Sequence, residues 1–116
     1  MANYQPVLDN WPTLPRAGLA TDFSQNTAAT HTVVAAVAGR RIRVLSAEFY
    51  VDGAQVLTWK SGADAINGGV FELGTSGYTS LGPHYGQYLE TRSGEALGLQ
   101  LGSAIRVRGP VVYQYV

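Results

Sequence analysis

Two histidines, His31 and His84, are the only imidazoles in the chain, so any acid–base chemistry at neutral pH must start from them. A hydrolytic triad needs a nucleophile, a base and an orienting acid. His31 opens a β-branched run and His84 lies in a Gly- and Tyr-rich stretch. No Gly-x-Ser-x-Gly elbow accompanies either. A zinc site needs three or four His, Cys or carboxylate ligands. There is no cysteine, and His31, His84, Asp22 and Asp64 are scattered along the chain. Paired carboxylates for glycoside hydrolysis must face one cleft. Glu48, Glu72, Glu90 and Glu95 each read as outward strand or turn residues. Gly68-Gly69 and Gly74-Thr75-Ser76-Gly77 lack the lysine and the following helix of a phosphate loop, and read as turns. The residues therefore point away from catalysis, and no cofactor or metal is expected.

Binding chemistry is better represented. Arg40, Arg41 and Arg43 form the one basic cluster, suited to ionic contact with an acidic protein surface. Tyr78, Tyr85 and Tyr88 combine large area with a polar tip, which suits a protein or carbohydrate face. Eight Lys and Arg balance eight Asp and Glu. A neutral chain exerts no long-range pull on nucleic acid or anionic lipid, so neither is an expected partner. Charged residues make up 14% of the chain, against about 25% in ordinary globular proteins. Such a surface suggests a covering partner. Without cysteine, stability must come from packing or from oligomerisation. The first residues have neither a basic start nor an apolar core, so no signal peptide is expected. No run approaches the ~18 apolar residues of a membrane span.

The elements that must position these residues are strands. Residues 1–30 form an extended N-terminal arm. Pro6, Pro12 and Pro15 oppose helix and central strand, while Tyr4, Val7, Leu8, Trp11, Leu14, Leu19 and Phe23 supply the anchors that linkers lack. From residue 31 onward the chain reads as one β domain. Strands are predicted over residues 30–37, 41–51, 55–61, 70–73, 88–91, 97–101, 105–108 and 111–116. In the second of these, Leu45, Ala47, Phe49 and Val51 share one face while Ile42 and Val44 take the other, which predicts a bulge or cover on both sides. Asp52-Gly53 is a hairpin turn signal. Residues 61–69 and 75–87 read as loops. Leu97, Leu99 and Leu101 alternate with small or polar residues, the mark of a half-buried strand. A faint echo between Lys60-Ser61-Gly62-Ala63 and Arg92-Ser93-Gly94-Glu95 reads as two turns of one kind. About eight short strands at this spacing predict an all-β fold, an antiparallel β-sandwich or jelly roll.

Four short blocks carry a family resemblance: Thr32 to Leu45 (TVVAAVAGRRIRVL), Trp59-Lys60-Ser61-Gly62, Tyr88-Leu89-Glu90-Thr91, and Gly94-Glu95-Ala96-Leu97-Gly98-Leu99. Over roughly residues 32–116 the chain resembles the small β-sandwich proteins that decorate, or cement, the capsids of tailed bacteriophages. The resemblance implies a virion structural protein made in the host cytoplasm. It would sit on the outer shell as a homotrimer, with the major capsid protein as its partner, and act by binding alone. Tyr4, Leu8, Trp11, Leu14, Arg16 and Phe23 are the expected arm contacts, with Arg40, Arg41 and Arg43 as ionic contacts. Val112, Tyr113, Tyr115 and Val116, in a terminal segment apolar on both faces, are the expected subunit interface. The alternative is a tail-fibre or receptor- and glycan-binding β-domain that works through the Tyr78–Tyr88 loop.

Overall fold

The computed structural model describes residues 18–81 and 89–116. They form nine strands: β1 (Leu19–Gln25), β2 (Thr30–Val34), β3 (Ile42–Val51), β4 (Gln55–Ser61), β5 (Asp64–Leu73), β6 (Gly77–Leu81), β7 (Leu89–Glu90), β8 (Leu97–Leu101) and β9 (Val107–Tyr115). All pairings are antiparallel. One sheet runs β1-β9-β3-β6, with the short β7 also on β3; the other runs β2-β8-β4-β5. The two sheets pack face to face as a β-sandwich, as the strand spacing predicted.

The core lies between them. Ile42, Val44, Ala47, Phe49, Val51, Val107 and Val111 from one sheet meet Val34, Leu57, Trp59, Leu97, Leu99 and Leu101 from the other. Phe23, Phe49 and Trp59 form an aromatic row through the middle, each ring centroid 5.9 Å from the next. The β3 pattern is explained by its ladder to β9. Val44 pairs with Tyr113 and Ser46 with Val112, so Leu45 is extra. That bulge reverses the alternation, and Ile42 and Val44 face the same core as Ala47, Phe49 and Val51. Leu45, expected on the Phe49 face, is the residue displaced and is only half-buried.

Several boundaries move. The arm was expected to run to residue 30, but β1 is an edge strand of the domain, paired with β9 from Leu19↔Tyr113 to Gln25↔Val107. Phe23, expected as a partner contact, is 4% exposed and part of the core. Burial of its ring outweighs any extended-arm tendency, because the prolines end eight residues before it. Residues 64–69 extend β5 rather than forming a loop, since the Gly62-Ala63 turn brings Asp64 opposite Ser61. Residues 77–81 form β6 on β3 rather than a loop. The last two predicted strands merge as β9 despite Pro110. The β3–β9 ladder skips from Ala47↔Val111 to Tyr50↔Arg108, which accommodates the missing proline N–H. At Gly109, φ is 153° and a Cβ would collide with the Glu48 carbonyl, so the strands approach closely only because this residue is glycine.

Candidate functional site

One end of the sandwich carries Arg40, Arg41, Arg43 and Arg92. Val37 to Arg40 form a turn closed by the Arg40 amide on the Val37 carbonyl (3.0 Å), with Gly39 at φ 75°. Arg41 then continues the β3–β9 ladder: its N–H and C=O both pair with Val116, at 3.0 and 2.9 Å. Arg40 and Arg41 thus stand at the rim where β3 begins and β9 ends.

The segment after β7 crosses from one sheet to the other at this same end. Thr91, 3% exposed, clamps Ile42 twice: its Oγ1 accepts the Ile42 N–H at 2.9 Å and its own N–H donates to the Ile42 carbonyl at 2.9 Å. Next to it, the Glu90 carboxylate lies between two guanidinia, with Arg43 Nε at 2.8 Å and Arg41 Nη1 at 3.4 Å.

Arg92 is a second centre, and the sequence reading did not single it out. Its Nη2 donates to Asp64 Oδ2 at 2.6 Å and its Nε to Glu95 Oε1 at 3.0 Å, while its backbone N–H donates to Ser61 Oγ at 2.9 Å. Ser61 Oγ in turn donates to Glu95 Oε1 at 2.6 Å. These bonds, that from Ser61 first and then that from Arg92, hold the Glu95 carboxyl below the ordinary carboxylate range. The carboxylates of Asp64 and Glu95 hold the Arg92 guanidinium above its ordinary value. The Ser61–Glu95 bond and the Arg92 N–H to Ser61 Oγ tie the two turns together. The signal that could have found it was the echo between the two Ser-Gly turns. The turns dock on each other, with the Gly62 N–H donating to the Ala96 carbonyl at 3.0 Å. Beside them opens a shallow pocket of about 320 Å³, lined by Ser61, Asp64, Ile66, Asn67, Glu90 and Arg92.

This end therefore carries four guanidinia, of Arg40, Arg41, Arg43 and Arg92, against the three carboxylates of Asp64, Glu90 and Glu95. Two apolar side chains stand exposed with them, Leu19 at 48% and Val37 at 42%. Leu19 opposes Tyr113 near the end of β9, so β1 begins at this end.

Among the other expected residues, Tyr4, Leu8, Trp11, Leu14 and Arg16 lie outside the described residues, as do His84, Tyr85 and Tyr88. Tyr113 and Tyr115 alternate with the outer face of β9 and pack against the core, edge to face with each other at 5.7 Å. Tyr115 Oη also donates to the Ala35 carbonyl at 3.2 Å. Both rings pack within the subunit and stay half-buried. Val112 points to the opposite side and remains half-buried, and Val116 is held by its backbone to Arg41. His31 is structural: its Nε2 lies 2.8 Å from the Thr27 carbonyl and its ring meets Phe23 at 6.0 Å.

The outer face of the β1-β9-β3-β6 sheet is a second candidate surface. Tyr50 and Tyr78 are cross-strand partners, 43% and 63% exposed. The Arg108 guanidinium lies 5.3 Å from the centre of the Tyr50 ring. The Tyr78 hydroxyl donates to Glu48 Oε1, which raises its pKa above the ordinary tyrosine value. Tyr78, expected in a loop, thus stands on strand β6, paired with β3.

No protein-family model matches the chain, and comparison with curated proteins and with solved structures found no match.

Proposed function

We propose that this protein is a non-enzymatic structural component of a bacteriophage virion that binds the outer capsid surface and cements the shell, as a homotrimer. The observation that carries this reading is the convergence at one end of the sandwich. The start of β1, to which residues 1–17 are joined, the exposed Leu19 and Val37, and the guanidinia of Arg40, Arg41, Arg43 and Arg92 all lie there. Apolar anchors ringed by arginine are the composition of protein interfaces. A segment that leaves a rigid domain at that surface lengthens the contact, and several such segments in an oligomer add by avidity. Ligands that hold only the assembled shell stabilise it by mass action. The family resemblance of residues 32–116 supplies the capsid as the partner.

The test is binding to expanded empty capsids by three proteins: the full chain, a chain lacking residues 1–17, and the pair Arg40→Glu and Arg41→Glu. The truncation leaves β1 and Phe23 in place, so it separates contact from folding. We expect loss of binding on truncation. For the charge reversal we expect a weaker, less salt-sensitive association. Undiminished binding by the truncated chain sinks the reading.

A second reading, a receptor- or glycan-binding domain, is favoured by the Tyr50–Tyr78 pair on the outer sheet face. It predicts saccharide binding by the isolated domain that Tyr78→Ala abolishes and that truncation of residues 1–17 leaves intact.

A further inference from the structure

Asn67 is followed by Gly68, and no other asparagine in the chain precedes a glycine: Asn3, Asn10 and Asn26 precede Tyr4, Trp11 and Thr27. The pair sits where the β4–β5 ladder breaks. Thr58 pairs with Val70 and Lys60 with Ala65, so the four residues Ile66 to Gly69 stand opposite Trp59 alone. Asn67 and Gly68 are both exposed at the crest of this excursion, and Gly68 has φ 78°, with nothing within 4 Å of where a Cβ would lie. At its base the excursion is pressed on Trp59, because a Cβ on Gly69 would lie 2.9 Å from the Trp59 Cβ and 3.0 Å from the Ile66 carbonyl. An asparagine released from ladder pairing, followed by a residue with no side chain to shield its nitrogen, meets the two conditions for attack by the main chain on the side-chain amide.

We propose that Asn67 is a site of spontaneous deamidation. The Gly68 backbone nitrogen loses its proton and attacks Asn67 Cγ, forming a C–N bond and closing a five-membered succinimide. The Cγ–Nδ2 bond breaks, and the nitrogen leaves as ammonia, carrying the proton. Water then adds to either ring carbonyl and opens the ring to aspartate or isoaspartate. The net change is carboxamide plus water to carboxylic acid plus ammonia, with no oxidant or reductant. The new carboxylate joins Asp64, Glu90 and Arg92 on the wall of the 320 Å³ pocket. The conversion adds one negative charge among Asp64, Glu90 and Arg92. The isoaspartate product also lengthens the main chain by one methylene within an excursion already tight over Trp59.

The experiment is incubation of the full chain, folded, at mildly alkaline pH, beside the same chain in urea. Ammonia release is followed, and tryptic peptides are mapped by fragmentation that separates aspartate from isoaspartate. Cleavage after Lys60 and Arg92 isolates a peptide in which Asn67 is the only asparagine. We expect conversion at Asn67 ahead of Asn3, Asn10 and Asn26, faster as pH rises, and within about tenfold of its rate in urea, the retardation that a modest conformational cost produces. Asn67→Gln should abolish the product, because its longer side chain must close a six-membered ring. Gly68→Ala should slow it on the order of tenfold by placing a Cβ beside the attacking nitrogen. Asn67→Gln, which leaves Gly68 and its positive φ untouched, serves where the alanine variant does not fold. An intact Asn67 in the folded chain after full conversion in urea overturns the proposal, as does earlier conversion of another asparagine.

Discussion

At the scale of single residues, the polar ties at the arginine end make stability depend on pH in a defined sense. The Glu95 carboxyl is held below its ordinary range by Ser61 and Arg92. Its contribution is complete above the unfolded-state value and disappears as pH falls through the lower folded-state value. Urea unfolding should show stability declining on the acid side, and Glu95→Gln should flatten that decline. Tyr78 acts in the opposite sense: its pKa is raised by the bond to Glu48, so its contribution is lost as pH rises through the folded value. Both groups meet solvent, and solvent screening keeps such contributions small, so neither effect decides folding. Packing does. Phe23→Ala empties one end of the aromatic row, against Phe49, and should cost about 3–5 kcal/mol in urea unfolding, a large share of a small domain's stability. Gly109→Ala should cost more than about 1 kcal/mol, since its Cβ meets the Glu48 carbonyl and its φ is one that alanine rarely adopts.

At the scale of elements, the Leu45 bulge sets which side of β3 is wet. Deleting Leu45 should remove the bulge and leave Ile42 and Val44 facing the core, because Val44↔Tyr113 and Ser46↔Val112 then become consecutive pairs; the deletion variant should express as soluble protein, as Leu45→Ala does, and aggregation would contradict this account of β3. The bulge was legible in the sequence because apolar residues of both parities occupy one strand. So were the sandwich and the Arg40–Arg43 cluster, which follow from alternation, turn residues and charge. β1 was not legible, because Leu19–Gln25 has only Phe23 as a deeply buried residue and follows three prolines; its pairing with β9 is a contact across most of the chain. Nor was β6, where Gly77 and Tyr78 read as a turn until Tyr50 is placed beside them. Arg92 was missed for the same reason. Its partners Asp64 and Ser61 are about thirty residues away, and only two docked turns bring them together.

At the scale of the molecule, the homotrimer of the proposed function predicts sedimentation at three times the chain mass of 12.4 kDa. Val112, Tyr113, Tyr115 and Val116, all half-buried in the single subunit, are the residues this trimer would bring against a neighbour. A monomer that becomes trimeric only on the capsid would place the assembly energy in the shell contacts rather than in the free protein.

The antiparallel pairing of β1 and β9 has a mechanical corollary. Leu19 begins β1 beside Tyr113, near the end of β9. A domain tethered by its N-terminal segment and pulled outward by its body feels tension along β1, and all seven β1–β9 pairs share the load in shear. Held instead between Leu19 and the end of β9, the same ladder is loaded at one end and unzips pair by pair. Direction alone thus makes this edge a strong fastening or a release tab, and pulling single molecules in the two geometries should give a higher rupture force for the first.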